Sequence, residues 1–157
     1  MRNAPRDQRG ILVFAVLAAG VMATGCNDSP FEYANVEGQV VLDGTPVPAA
    51  KVIFMPAFST EDGEAGPYSQ GVTDDEGRYR LETMESDPRS GAVVGPHRVI
   101  VTTKQSRLDP DELDREIIDV PESIPWRYTY YKRTPLKFDV PSEGSETADF
   151  ALQSSPR

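Results

Sequence analysis

The chain has 157 residues, with 16 Lys and Arg against 25 Asp and Glu, 38% apolar and 8% aromatic residues, and 14 Pro, which fits one domain of ordinary size. Its net charge of −9 argues against binding a nucleic-acid backbone, which needs clustered cations to displace counterions. One Cys excludes an intrachain disulfide, and one His excludes sites built on two or more imidazoles, such as three-histidine zinc or the HExxH helix.

Arg2, Arg6 and Arg9 precede an apolar run of 13 residues, Ile11 to Ala23, followed by the small residues Thr24 and Gly25. This is the pattern of a secretory signal peptide. As a helix the run would span about 20 Å, short of the roughly 30 Å hydrocarbon core, so cleavage is expected rather than a permanent span. Ala23-Thr24-Gly25-Cys26 resembles the lipobox of bacterial lipoproteins, with Ala23 where leucine is usual. The resemblance implies that Cys26 is acylated and becomes the first residue of the mature chain. Two or three acyl chains hold a protein on a membrane durably, where one anchors only marginally. Cleavage removes three arginines and Asp7, leaving 13 basic and 24 acidic side chains and a net charge of −11. Residues 27–35 (NDSPFEYAN) are polar and read as a short tether.

The remainder alternates. Val36 to Leu42 puts Val36, Gly38, Val40 and Leu42 on one face, and Asp43-Gly44 is a hairpin turn dipeptide. Lys51 to Pro56 is apolar on both faces, Tyr68 to Thr73 is a weaker strand, and Gly77 to Thr83 sends Tyr79 and Leu81 inward. Gly95 to Thr103 is rich in β-branched residues. Pro135 to Val140 aligns Leu136, Phe138 and Val140, and Glu146 to Leu152 aligns Ala148, Phe150 and Leu152. Seven short strands without a long amphipathic helix predict an antiparallel all-β sandwich. Its expected core is Val40, Leu42, Val52, Phe54, Tyr79, Leu81, Val99, Val101, Leu136, Phe138, Phe150 and Leu152. One long loop, 104–134, interrupts the pattern. Within it Asp109-Pro110-Asp111-Glu112 offers an N-cap acid, proline at N1 and glutamate at N3, with Leu108 and Leu113 set for a hydrophobic staple. A short helix is expected from Asp109 to about Ile117.

The segments Val36-Glu37-Gly38-Gln39-Val40, Asp43-Gly44-Thr45-Pro46-Val47, Ala50-Lys51-Val52, Thr73 to Leu81 (TDDEGRYRL) and Gly95 to Val101 (GPHRVIV) are similar to the carboxypeptidase regulatory-like domain. That resemblance covers about 65 residues and implies a transthyretin-like, Ig-like sandwich. Residues 1–25 are then a signal peptide, 26–35 a lipidated tether and 36–153 the domain. The resemblance implies fold and location, a membrane-anchored lipoprotein on the periplasmic or cell-surface side, and no activity.

Candidate sites are few. Asp74, Asp75 and Glu76 could suggest calcium, but the D-x-D-x-D-G loop is missing and a turn explains them: Asp side chains bond their own backbone, and Gly77 supplies a left-handed residue. Glu61-Asp62-Gly63-Glu64 reads likewise as a solvated loop. His97 reads as a surface or edge residue. Hydrolases and dioxygenases built on related sandwiches rely on several histidines, which this chain lacks, and no G-x-S-x-G or phosphate loop is present. Neither a metal nor a cofactor is expected. A carboxylate-only enzyme would need two acids in opposed environments.

The segment 124–133 (IPWRYTYYKR) holds the one Trp and three of six Tyr. Trp126, Arg127, Tyr128, Tyr130 and Tyr131 are the candidate binding residues, since aromatics with interleaved cations stack on sugars and anchor protein partners. The expectation for Trp126 to Tyr131 is nevertheless that they cover an open sheet edge rather than line a deep ligand pocket, because the segment follows two prolines and precedes a strand that must be shielded; Trp126 is then at least half-buried. The expected role is a lipid-anchored, non-enzymatic envelope protein acting as a structural or interaction module. The alternative is a carbohydrate- or peptide-binding protein that uses the aromatic segment. The expected partners are the membrane, through lipid on Cys26, and an envelope protein or glycan.

Overall fold

The structure is a computed structural model that describes residues 29–57, 65–112 and 114–155. The residues read as a signal peptide, Cys26, the loop Glu61-Asp62-Gly63-Glu64 and Leu113 lie outside the described residues. No helix among the described residues is long and apolar enough to cross a membrane.

The elements in chain order are β1 (Tyr33–Ala34), β2 (Glu37–Leu42), β3 (Thr45–Pro46), β4 (Lys51–Pro56), β5 (Ser69–Val72), β6 (Arg78–Arg80) and β7 (Glu82–Thr83), followed by β8 (Ala92–Val93), β9 (Gly95–Thr102), β10 (Gln105–Leu108), β11 (Glu116–Val120), α1 (Trp126–Thr129), β12 (Lys137–Val140) and β13 (Phe150–Leu152). One sheet has the order β12-β9-β4-β5-β7, and the facing one the order β13-β2-β3 with β6 also paired to β2. The chain is an all-β sandwich. All seven expected strands are present, the fourth of them split into β6 and β7.

The alternation that predicts the strands also fills the core. Val40, Val52, Phe54, Leu81, Val99 and Val101 are fully buried, and Tyr79, Phe150 and Leu152 nearly so, while Leu42, Leu136 and Phe138 pack partly buried against them. Asp43 (φ 51°) and Gly44 (φ 84°) are both left-handed, the backbone that a two-residue β2-β3 turn needs to match strand twist. Gly77 is left-handed too, at φ 73°, and Asp74 Oδ1 accepts from the amides of Glu76 (3.0 Å) and Arg78 (2.8 Å). The Asp74 carboxylate is thus spent on its own turn.

Three features depart from the expectation. The sandwich is not wholly antiparallel: β13 runs parallel to β2, with Phe150 beside Val40 and Leu152 beside Leu42. The connection after β12 returns the chain to the start of β2, where Glu37 N donates to Ser145 O (2.8 Å) and Ala148 N to Glu37 O (2.9 Å), so the last strand re-enters in the direction of β2. Pairing also begins inside the segment read as tether, because β1 aligns Tyr33 with Val93 and Ala34 with Ala92.

The third departure is the helix. Instead of a helix from Asp109, the chain makes a hairpin in which Ser106 faces Ile118 and Leu108 faces Glu116. Asp109 Oδ1 does accept from Asp111 N (2.9 Å), as a capping acid would, but Asp109 N then donates to Arg115 O (2.8 Å) and closes a loop. The described residues around this turn are mostly exposed, and short helices without packing are marginal. The short helix of this long loop is α1 instead, entered through Pro125 with no side-chain cap.

Gly38 marks a close approach of β2 to the segment that leads into β13. A Cβ at this position would sit 2.1 Å from Ala148 O, the same carbonyl that accepts from the Tyr79 hydroxyl at 2.6 Å. Gly38→Ala is therefore expected to lower stability by about 1–3 kcal/mol, measured by urea unfolding, whereas Gly44→Ala, with nothing within 4 Å, suffers only the strain of its positive φ.

Candidate functional site

The aromatic segment is pinned at both ends. At its start the Glu122 carboxylate accepts from Thr102 Oγ1, from Thr103 N (3.0 Å) and Oγ1 (2.8 Å), and from Ile124 N (2.9 Å), and Ile124 is buried. Partial burial pushes the Glu122 carboxyl up, but these hydrogen bonds outweigh it and hold it below the usual carboxylate range. At its end Thr134, buried, donates from Oγ1 to Val99 O at 2.6 Å.

Between the pins the candidates divide. Tyr128 is the inward residue of α1, 7% exposed, with its hydroxyl accepting from Gln153 N at 3.2 Å. Arg127 donates to Gln153 O and lies over the Tyr128 ring at 4.7 Å. These two are anchors. Trp126 is 61% exposed, Tyr130 53% and Tyr131 39%. The expected half-burial of Trp126 is overturned, and helix geometry gives the reason. With Tyr128 seated inward, a residue two positions earlier lies about 200° around the helix and points outward.

Two cations join the exposed rings, one from the segment itself and one from β9. Arg133 stacks over Trp126 (5.0 Å) and Arg98 over Tyr131 (5.4 Å). Arg98 on β9 is directly opposite Lys137 on β12, a like-charge pair that is unfavourable in itself. None of Arg98, Lys132, Arg133 and Lys137 forms an ion pair among the described residues, whereas Arg80, Lys104, Arg107 and Arg115 do. A hollow of about 560 Å³ beside Tyr131 is lined by Pro96, Arg98, Lys137, Phe138 and one carboxylate, Asp139. The sequence pattern does not reveal Arg98, Lys137 or Glu122 as part of this site, since only strand pairing and the Thr102-Thr103 contact bring them there.

The α1 end of the segment and the entry of the chain at β1 lie at opposite ends of β2, while the Tyr131 end rests on Arg98, four residues from Val94, whose amide donates to Glu32 O (2.8 Å). The tether enters at β1, before β2 begins, while Tyr128 and Arg127 bond Gln153, just past Leu152, which pairs with the last residue of β2. Six residues of β2 separate the two ends, about 20 Å at roughly 3.3 Å per residue.

His97 is not the surface or edge residue expected. It is 1% exposed, its ring 5.7 Å from that of Phe54, with Nδ1 2.8 Å from Gly95 O and Nε2 without a partner among the described residues. Burial lowers its pKa, against smaller opposing effects of Gly95 O and Asp139, so the imidazole stays neutral and packs as a core group. Among the described residues, the carboxyls displaced from their usual range besides Glu122 are Asp43, held down chiefly by hydrogen bonds from Ser154, and Glu116, held down chiefly by Lys104.

No protein-family model matches the chain, and no curated protein matches it. Among solved structures, a 9R-lipoxygenase from Cyanothece PCC8801 aligns over 78% of this chain and 16% of its own, at 10% identity and a TM-score of 0.37. A likeness that shallow carries neither fold nor activity across, and the aromatic segment stands as the candidate site on its own geometry.

Proposed function

We propose that this chain is a lipid-anchored, non-enzymatic module of the cell envelope, held on a membrane through Cys26. It recognises a partner, an envelope protein or a glycan, through Trp126, Tyr130 and Tyr131. The sandwich that carries the segment is read as carboxypeptidase regulatory-like and transthyretin-like. The observation that carries the proposal is the exposure of three aromatic rings on a segment fixed at both ends. A ring used only to cover an edge gains by burial; a rigid ring left in water forfeits that gain and is poised to be buried by something else.

Crosslinking in living cells tests this directly. The full chain is expected to capture an envelope protein or a glycan, and Trp126→Ala combined with Tyr130→Ala is expected to abolish capture while the melting temperature stays within about 2 °C. Unchanged capture would remove the segment from the function. Intact mass tests the anchor: the mature chain should begin at acylated Cys26, and a free thiol there would remove the membrane from the proposal.

A further inference from the structure

The hairpin β10-β11 projects from the sandwich as an isolated arm. Every residue of β10 is exposed, neither strand pairs with the two main sheets, and Leu108 (63%), Ile118 (55%) and Val120 (38%) show apolar surface to water. A two-stranded ribbon is marginal by itself. Cross-strand ion pairs stiffen this one: Lys104 Nζ lies 2.9 Å from Glu116 Oε2 and Arg107 Nε 3.2 Å from Asp119 Oδ1. Its tip carries Asp109, Asp111, Glu112 and Asp114 against one cation, Arg115. Among the described residues that cation sits 3.9 Å from Asp109, and Asp111, Glu112 and Asp114 are exposed and form no ion pair.

The arm and the aromatic face are complementary in both chemistries that matter. One presents apolar side chains behind a cluster of carboxylates; the other presents Trp126, Tyr130 and Tyr131 among Arg98, Lys132, Arg133 and Lys137, cations that form no ion pair among the described residues. Within one chain the tip acids and these cations make no ion pair, and the hydrogen-bonded ribbon fixes the tip about 13 Å out from its base, at roughly 3.3 Å for each of the four residues of β10. A second copy can supply the complement that these groups do not make within one chain.

We propose that the aromatic face binds the acidic tip of the β10-β11 arm of a second copy of this chain. Trp126 and Tyr130 cover Leu108 and Ile118, and Lys132, Arg133, Arg98 and Lys137 meet the tip carboxylates. The contact is heterologous, arm of one copy to face of the next, so it propagates as a row rather than closing as a symmetric dimer. Anchoring on a shared membrane raises the local concentration of copies and lets a modest contact suffice. This inference rests on the aromatic segment's being the contact face.

The test uses the full chain in its membrane, expressed as two differently tagged forms with a photoreactive phenylalanine replacing Tyr130 in one of them. The expected product joins that residue to positions 108–115 of the other form. Lys132→Glu with Arg133→Glu should reduce its yield at least about tenfold, and adding Asp111→Lys with Glu112→Lys on the partner form should restore it. All four sites are exposed, so unchanged melting curves are expected and verify folding. Crosslinks to a different envelope protein or a glycan, with none between the two forms, would overturn self-association and leave the broader proposal standing. Absence of any crosslink would overturn both, and a between-copy crosslink indifferent to charge reversal and its rescue would overturn the arm as occupant.

Discussion

Phe54→Ala is expected to cost about 3–5 kcal/mol of folding stability, the largest single loss for any side chain in the sandwich. Phe54 lies on β4, in the middle of the five-stranded sheet, and is completely buried. Its ring meets four others: His97 at 5.7 Å, Phe138 at 5.8 Å and Phe150 at 6.0 Å between centroids, and Tyr79 at 6.5 Å. Those neighbours come from both sheets, so truncation leaves a cavity at the layer interface that neither sheet can close alone, and it removes aromatic contacts beyond the lost transfer energy. Domains of this size are stable by about 5–15 kcal/mol, so the variant should melt more than about 10 °C lower, or fail to fold at 37 °C. Lys137→Ala, on the exposed side of β12, should cost under about 0.5 kcal/mol in the same urea titration. Equal small losses at both positions would refute the assignment of inward and outward faces.

The ease with which most of the core around Phe54 can be assigned from sequence has a physical basis. Strand side chains alternate with a period of two, and each face either borders water or does not, so composition along the chain reports burial directly. Val40, Tyr79, Leu81, Val99, Val101, Phe150 and Leu152 all follow this rule. The Asp43-Gly44 turn is legible for a similar reason, because two successive left-handed residues are a local requirement that only a few residue types meet.

What depends on partners remote in sequence is not legible. The acids at Asp109, Asp111 and Glu112 satisfy the rules for a helix start, yet the same carboxylates serve a loop equally well, and the choice falls to the flanking residues. Lys104 with Glu116 and Arg107 with Asp119 pair across a hairpin, a pattern visible only once the register is known. His97 illustrates the same limit. Its neighbours Gly95 and Pro96 suggest a strand end, but its side chain falls on the inward face of β9 between Gly95 and Val99, where Phe54 packs on it. Arg98 and Lys137 enter the candidate site for no reason present in their own neighbourhoods; antiparallel pairing of β9 with β12 makes them opposite.

The aromatic segment itself joins both kinds of information, and a pair of substitutions separates them. Tyr128→Ala is expected to destabilise the chain by about 3 kcal/mol, because it empties a buried site and leaves Gln153 N without the hydroxyl it bonds at 3.2 Å. Arg127 also loses the ring beneath it, so the turn that carries Trp126 should loosen, and partner capture should fall along with stability. Trp126→Ala removes a larger side chain from a neighbouring position of the same helix, and it is expected to change stability by under about 0.5 kcal/mol while capture is lost. Size alone predicts the reverse order. Thermal melts of the two variants beside their crosslinking yields therefore distinguish an anchor from a contact residue. A Trp126→Ala protein that melts as low as the Tyr128→Ala protein would mean that the ring is structural, and the contact face would have to be sought elsewhere on the sandwich.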